Sequence, residues 1–408
     1  MAASSSSSPK KPILSPHLFA IFLATIILLP SNTHASLREF KSIISFGDSL
    51  TDTGNLARLF PSIAASDLGN FLRLPYGETF FHRPTGRWSN GRLAIDFIAQ
   101  KFGLPFIRPF VGSCADGNAS GCANDDFRHG VNFAVAGATA LDKDFFDTYG
   151  VEIPFPSASL DNQLNWFEHR FLPVVCPEPQ DCKTYIENTL FFVGEIGGND
   201  YNYALIQANK TLEVAQEFIP YVVKIIASAV VDLIKLGAKT LIVPGNFPIG
   251  CTSKYLTVYQ SSNKRDYDPK TGCLNWLNEF SQQHNRALRS QLGCIQKRNP
   301  NVAIIYADNY GASMRLYRNP KKYGFSRLGS LYACCGGEGP YNISLTTNCG
   351  NPGSYTCPDP SMYICWDGLH FTEAANRHIA NILVEESFDG PTLIAEGHRC
   401  SSDMYTDI

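Results

Sequence analysis

Five apolar runs rich in β-branched and aromatic residues recur along the chain, separated by longer segments with helical periodicity. The runs occupy residues 42–46, 131–136, 189–197, 240–245 and 302–308. Continuous apolar runs of this length are typical of parallel strands that are covered on both faces. Their alternation with helices predicts one doubly wound α/β/α domain, with a central parallel sheet and a functional site at the carboxyl ends of the strands.

The helices between these runs are predicted from apolar spacing and from residues that begin or end helices. Leu160, Leu164, Phe167 and Phe171 recur on one helix face. Further helices are expected over residues 211–236, ended by Gly237; over residues 273–297, ended by Asn299-Pro300; and from the N-cap Thr372 onward, with Ala375, Ile379 and Ile382 facing the core. Residues 320–360 lack periodicity and are rich in Gly, Pro, Asn and Cys, which indicates a long cross-linked loop before the last helix.

The first residues have the pattern of a secretory signal. Two lysines precede an apolar run from Leu18 to Leu29, and Thr33-His34-Ala35 has the small-x-small form of a cleavage site. A membrane anchor is the alternative, but this run falls short of the roughly 20 residues that span a bilayer. We therefore expect a signal peptide at 1–35 and a single domain at 36–408, secreted to the apoplast or cell wall or delivered to the vacuole.

Composition limits the partners that the protein could bind. The chain has 408 residues, 44% of them hydrophobic, and a formal net charge of -3. No block of Lys and Arg is long enough to indicate nucleic-acid binding. We expect a small-molecule partner and no stable membrane insertion, whereas the sequence leaves the oligomeric state open.

Thirteen cysteines in an exported chain favour disulfides, and the odd number leaves at least one unpaired. Short separations favour Cys114 with Cys122 and Cys176 with Cys182, and Cys251 with Cys273 is a third candidate. A zinc cluster is the alternative for five of the later cysteines, Cys334, Cys335, Cys349, Cys357 and Cys365, but no CxxC pair occurs among them.

Glycosylation is expected at three Asn-X-Ser/Thr sequons. They begin at Asn118, Asn209 and Asn342. Such triplets also arise by chance, but passage through a glycosylating compartment agrees with the signal sequence.

Three short motifs supply the parts of a serine hydrolase. Ser49 follows the first predicted strand across Gly47, where a turn would expose its hydroxyl. Asp367 and His370 are three residues apart at the start of the last helix, a spacing that lets the carboxylate orient the imidazole and the imidazole activate the serine. Alone, the serine would be a turn residue, and the Asp/His pair a helix cap with a surface histidine.

Two further residues are candidates for binding the oxyanion that forms when a serine attacks an ester. Asn199 directly follows the third predicted strand and has an amide donor, although an Asn beside two glycines is also a common turn residue. Gly91, in WSNGR, precedes a helix whose N-terminus favours negative charge, and helix capping by Ser89 or Asn90 is compatible with that role.

In order along the chain, FGDSLTDTGN, WSNGR, GGNDY and WDGLH resemble the four blocks of the plant GDSL esterase/lipase family within the SGNH hydrolases. The GxSxG pentapeptide of α/β-hydrolases is absent. The resemblance covers residues 40–386 and implies an SGNH-hydrolase, flavodoxin-like fold. It implies Ser49 as nucleophile, His370 as base, Asp367 as its orienter, and the Ser49 N–H, Gly91 and Asn199 as oxyanion donors.

The expected function is hydrolysis of a carboxylic ester through an acyl-enzyme, with neither metal nor cofactor. The segment 74–99 and CCGGEGPYN resemble the branch that includes sinapine esterase and acetylajmalan esterase, which suggests a short acyl or hydroxycinnamoyl ester of a plant metabolite or cell-wall sugar. An acyltransferase would use the same residues with an alcohol acceptor. A catalytically silent binding protein is the third alternative.

Overall fold

The computed structural model describes Met1 and residues 39–111, 127–155 and 158–389. The expected signal peptide, the sequon at Asn118 and the proposed Cys114–Cys122 pair lie outside the described residues.

A five-stranded parallel sheet forms the centre of the fold, in the order β2-β1-β3-β4-β5. Its strands are β1 (Ser42–Phe46), β2 (Gly130–Asn132), β3 (Thr189–Val193), β4 (Thr240–Pro244) and β5 (Ala303–Ala307). Each of the five predicted runs overlaps one of these strands. β2 is shorter than predicted, because the chain beyond Asn132 leaves the ladder and passes alongside the end of β1.

The helices cover both faces of this sheet. They are α1 (Asn55–Leu59), α2 (Ala94–Lys101), α3 (Lys143–Thr148), α4 (Leu160–Trp166), α5 (Leu172–Val175), α6 (Pro179–Glu187), α7 (Gly198–Asn202), α8 (Leu212–Leu236), α9 (Ser253–Val258), α10 (Asn275–Arg298), α11 (Asn309–Arg318) and α12 (Glu373–Asp389). Single π-helical turns follow α4 at Phe167–Phe171 and α7 at Tyr203–Gln207. Short 3₁₀ turns lie at 61–65, 67–72, 249–251, 264–266, 320–323, 340–342 and 360–362.

The helix ends that were predicted from capping residues are confirmed. Thr211 Oγ1 accepts a hydrogen bond from the Val214 N–H at the start of α8, and Gly237 ends that helix with a φ of 113°. Thr372 Oγ1 accepts from the Ala375 N–H at the start of α12. These caps at Thr211, Gly237 and Thr372 satisfy backbone groups that the helices themselves leave without partners.

Alternate residues of each strand point to opposite hydrophobic cores, as expected for a sheet covered on both faces. On one face Ile43, Leu190, Phe192 and Ile242 pack with residues of α2, α11 and α12. On the other face Ile44, Phe191, Leu241 and Ile304 pack with residues of α4, α8 and α10. The predicted three-layer α/β/α architecture is therefore confirmed.

The segment 320–360 contains a two-stranded antiparallel ribbon, β6 (Cys335–Gly336) and β7 (Tyr355–Thr356). Two disulfides, Cys334–Cys357 and Cys335–Cys349, hold it together, so four of the cysteines considered for zinc are cross-linked in pairs. Cys365 is free and buried.

The predicted disulfides Cys176–Cys182 and Cys251–Cys273 are confirmed. The second of them joins the segment after β4 to the start of α10.

Among the residues that the structure describes, no helix has both the length and the apolar character that crossing a membrane requires.

Candidate active site

The turn after β1 places Ser49 at the carboxyl edge of the sheet. Gly47 has a φ of 145°, and a Cβ there would lie 2.5 Å from Thr51 Oγ1 and 2.8 Å from the Glu195 carbonyl oxygen, so only glycine fits. The side-chain amide of Gln163 accepts from the Gly47 N–H at 2.8 Å and donates to its carbonyl at 2.9 Å. These contacts fix the backbone immediately before the serine.

The segment before α12 brings His370 to that serine. His370 Nε2 lies 2.8 Å from Ser49 Oγ, and its Nδ1 lies 2.8 Å from both carboxylate oxygens of Asp367. Ser49 and His370 are 8% and 9% exposed, so the pair is shielded but still borders a cavity. In this arrangement the imidazole can take the hydroxyl proton while the carboxylate fixes its tautomer.

Tyr76 supports the carboxylate of Asp367 through a further hydrogen bond. Its fully buried hydroxyl donates to Asp367 Oδ2 at 2.8 Å, and Asn70 Nδ2 bridges from Tyr76 Oη at 3.3 Å to the Cys349 carbonyl at 2.8 Å. Burial by itself would raise the pKa of Asp367, but the adjacent His370 and the hydrogen bonds from His370 and Tyr76 outweigh it and hold that pKa below its usual value. Asp367 is therefore ionised at neutral pH.

Asn199 also lies beside the nucleophile turn, at the start of α7. Its Nδ2 donates to Ala138 O at 3.0 Å and to Asp48 Oδ2 at 3.2 Å. Both amide protons are thus occupied, the second by a longer contact with the residue next to Ser49. Binding an oxyanion through this amide would require that longer contact to open or to be shared.

Gly91 is not brought to the cavity that Ser49 borders. A Cβ on Gly91 would lie 1.8 Å from Glu373 Oε2, and its N–H faces Ser89 Oγ at 3.4 Å. The glycine that does line the cavity is Gly137, which follows β2 with a φ of 80°. The expectation for Gly91 therefore has to be corrected. Because β2 lies beside β1 in the sheet, the carboxyl end of β2 lies next to Ser49. The WSNGR segment packs instead against the start of α12.

Three buried carboxyl groups near the nucleophile turn, those of Asp48, Glu195 and Asp200, have raised pKa values. Burial raises the pKa of Asp48 to about 7, against the opposing effects of Leu50 N–H, His370 and a hydrogen bond with Glu195. Burial and the neighbouring Asp48 raise the pKa of Glu195 well above its usual value, and burial raises that of Asp200 to about 7 although two backbone N–H groups bind it. Burial and the neighbouring Asp48 thus favour the neutral form of Glu195, whose carboxyl is hydrogen-bonded to Asp48.

Ser49 and His370 border a cavity of about 480 Å³. Its wall is largely apolar and aromatic, and includes Leu50, Trp88, Phe155, Tyr203, Phe247, Tyr255, Leu369 and Phe371. Trp88 lies over the His370 ring with centroids 4.9 Å apart. A cavity of this size and character suits a small organic molecule with an apolar body.

Sequence reasoning did not identify Gln163, Tyr76 or Gly137 as parts of the site. Gln163 lies within a helix pattern, and Tyr76 is distant in sequence from Asp367, so no local signal marked either residue. Gly137 follows a predicted strand, and its place at the carboxyl edge next to β1 was a signal that could have been used.

Comparison with known proteins identifies the family of the chain. The sequence model of the family described as GDSL-like Lipase/Acylhydrolase matches residues 43–383. A GDSL esterase/lipase of Arabidopsis thaliana is 48% identical over 386 residues, which cover 95% of this chain and 94% of the relative. The sinapine esterase of Brassica napus is 46% identical over 389 residues, covering 94% of each chain. The chain described here belongs to the plant GDSL esterase/lipase family, whose members are ester hydrolases.

Proposed function

We propose that this protein hydrolyses a carboxylic ester through an acyl-enzyme on Ser49, with His370 as general base and Asp367 as its orienting carboxylate. The observation that carries this proposal is the unbroken hydrogen-bonded line from Asp367 through His370 to Ser49 Oγ, at the wall of an apolar cavity.

The reaction follows from these positions. His370 Nε2 takes the proton of Ser49 as its oxygen attacks the ester carbonyl, and the resulting imidazolium is stabilised by Asp367. The backbone N–H groups of Ser49 and Gly137 and the amide of Asn199 are the proposed donors to the oxyanion. Collapse of the tetrahedral intermediate expels the alcohol, which receives the proton from His370. Water, activated by the same imidazole, then releases the acid.

The proposed substrate is an ester of a short acyl or hydroxycinnamoyl group with a plant metabolite or cell-wall sugar. Two observations support this class: the aromatic wall of the cavity and the similarity to a relative named sinapine esterase. Transfer of the acyl group to an alcohol instead of water is a measurable alternative, because product analysis with a competing alcohol distinguishes the two outcomes.

Export as a glycoprotein to the apoplast, cell wall or vacuole is part of the same proposal. It is supported by the signal pattern at 1–35 and by disulfides, which persist in oxidising compartments. Asn209 is exposed, whereas the Asn342 side chain is half-buried and donates to Ala333 O at 2.9 Å. We therefore expect Asn209 to be the better glycan acceptor of these two.

A fluorophosphonate probe tests the proposed nucleophile. The native protein should react covalently with the probe and hydrolyse 4-nitrophenyl acetate, and Ser49→Ala should do neither. Ser45→Ala is a matched control, since Ser45 is a buried serine on β1, the strand before Ser49, and its hydroxyl has no partner among the described residues. Failure of the native protein to be labelled, or labelling that persists in Ser49→Ala, would remove Ser49 from the mechanism.

A further inference from the structure

The wall of the cavity contains two buried polar atoms without hydrogen-bond partners. Asn246 is 3% exposed and Glu195 is 4% exposed, and neither Asn246 Nδ2 nor Glu195 Oε1 has a partner among the described residues. Both side chains line the cavity that Ser49 borders. Leaving such atoms unpaired in a buried site is unfavourable, and it is typical of groups that bind a ligand.

The two side chains come from neighbouring strands. Glu195 follows β3 and Asn246 follows β4, and the parallel register pairs Phe192 with Ile242. The two residues therefore lie at nearly equivalent positions beyond the carboxyl ends of strands that are about 4.8 Å apart.

Asn246 is held by its backbone, which leaves its side chain free to bind. The Asn285 side chain accepts from the Asn246 N–H at 2.7 Å and donates to the Asn246 carbonyl at 2.9 Å. Asn246 Nδ2 is a donor fixed in place, and it can serve only a group that carries an acceptor.

Glu195 supplies the complementary acceptor. Its carboxyl is hydrogen-bonded to Asp48, while its Oε1 has no partner among the described residues, so Oε1 is the acceptor that this side chain offers; burial favours the neutral form of the group. A hydroxyl group matches this pair, because its oxygen can accept from an amide while its proton is donated to a carboxyl oxygen. A cation gains little from a neutral carboxyl, and an anion is not matched by the acceptor.

We propose that Asn246 and Glu195 form a polar subsite that binds a hydroxyl group of the ester and thereby selects hydroxylated substrates. This inference rests on the proposed function and specifies its substrate class. Phe247 and Phe371 pack edge to face at 4.8 Å in the same wall, so an aromatic ring bearing the hydroxyl would find apolar contacts beside the subsite.

The test compares kcat/KM for hydroxylated esters and their deoxy analogues. Methyl 3- and 4-hydroxycinnamate are paired with methyl cinnamate, and 4-hydroxybenzyl acetate with benzyl acetate, so that the hydroxyl is placed on the acyl or the alcohol side. The native enzyme should favour the hydroxylated member of at least one pair by about 10-fold or more, because a deoxy ester leaves both buried groups unpaired.

Substitution of Asn246 should remove this preference. Leucine is similar in shape to asparagine but has no hydrogen-bond donor. In Asn246→Leu the ratio of kcat/KM for the hydroxylated ester to kcat/KM for its deoxy analogue should therefore fall to within about threefold of unity. Gln207→Leu is the matched control, because it also replaces a cavity-lining amide by leucine, but at an exposed position, and it should keep the native ratio. Asn246→Ser provides a second variant should the leucine form fail to fold.

Glu195→Gln tests the acceptor separately. Its amide can donate to Asp48 while its carbonyl oxygen faces the cavity, so the preference should persist, whereas Glu195→Met should abolish it.

Two results would overturn the inference. One is a native enzyme that hydrolyses deoxy and hydroxylated esters equally, as expected if a buried water pairs the two atoms. The other is a preference that survives in Asn246→Leu or Asn246→Ser. Both leave ester hydrolysis itself intact, whereas absence of turnover on every ester, together with no probe labelling of Ser49, would overturn the proposed function and this inference with it.

Discussion

Replacing Tyr76 by phenylalanine removes one hydrogen bond from the proposed catalytic carboxylate and little else. The ring is fully buried and contacts Trp88 and Trp366 edge to face, contacts that phenylalanine keeps. Only the hydroxyl is lost, together with its 2.8 Å bond to Asp367 Oδ2 and the longer 3.3 Å bond that it accepts from Asn70 Nδ2. Tyr76 thus acts through Asp367 as a positioning residue.

The expected cost follows from the charge on Asp367. A hydrogen bond to an ionised group contributes about 1.5–3 kcal/mol, against about 0.5–1.5 kcal/mol for one between neutral groups. At neutral pH Tyr76→Phe should therefore lower the free energy of unfolding by about 1.5–3 kcal/mol. Because a carboxylate free to turn holds the imidazole less well, kcat/KM should fall about tenfold, which corresponds to 1.4 kcal/mol.

The effect should depend on pH with a defined sign. The folded-state pKa of Asp367 is depressed, so its contribution to stability is present above the unfolded pKa and is lost as the pH falls through the folded pKa. The stability difference between native protein and Tyr76→Phe should be largest at neutral pH and shrink in acid. Urea unfolding followed by tryptophan fluorescence, at neutral pH and at successively lower pH, measures it.

Tyr201→Phe is the matched control. Tyr201 is also buried, but its hydroxyl pairs with His284 Nδ1 at 2.8 Å, and burial lowers the His284 pKa to about 4, so this partner is neutral near pH 7. The control should cost about 0.5–1.5 kcal/mol and leave ester hydrolysis near the native rate. Equal losses of stability and activity in the two variants would refute the reasoning, as would additive effects of Tyr76→Phe and Asp367→Asn on kcat/KM.

Three further predictions concern the oxyanion donors, the buried acids and the cross-linked ribbon. Asn199→Ala should reduce kcat by roughly 10²–10³ fold with the fold intact by circular dichroism, and a loss below about threefold would exclude its amide as an oxyanion donor. Because burial raises the pKa of Asp48 and of Asp200 to about 7, their contribution to stability is lost as pH rises, and the free energy of unfolding should fall by more than about 1 kcal/mol between about pH 5 and 8. A flat profile would contradict those protonation states. Replacing Cys335 and Cys349 together by serine should cost about 2–4 kcal/mol in urea unfolding and also lower kcat/KM, because the Cys349 carbonyl anchors the Asn70 that contacts Tyr76. Unchanged kcat/KM in a variant with a lower free energy of unfolding would show that the ribbon does not support the proposed triad.

The sheet and the long helices were predictable because their signals are local. A continuous apolar run such as 189–193 is incompatible with an exposed strand, and the Thr211 and Gly237 caps define α8 from sequence alone. The ribbon β6–β7 was not predictable, since its two-residue strands are held by disulfides whose pairing no spacing rule determines.

The site was predictable to the extent that it depends on strand ends. Ser49 and Asn199 lie in the segments that follow β1 and β3, and the parallel sheet brings those strand ends to one edge. Gly91 was wrongly assigned as an oxyanion donor because a glycine before a helix is compatible both with that role and with close packing. Only the position of Glu373 in the structure distinguishes the two. Tyr76 reaches Asp367 across 291 residues of sequence, a tertiary contact that no motif encodes.

The separation of Ser49 from His370 by 321 residues has a consequence for biosynthesis. At translation rates of about 5–20 residues per second, roughly 15–65 s pass between synthesis of the serine and of the histidine proposed to activate it. In the proposed mechanism, the Ser49 hydroxyl of a nascent chain therefore has no general base throughout that interval. In the proposed mechanism, hydrolysis becomes possible only once the segment before α12 has been synthesised and His370 lies beside Ser49.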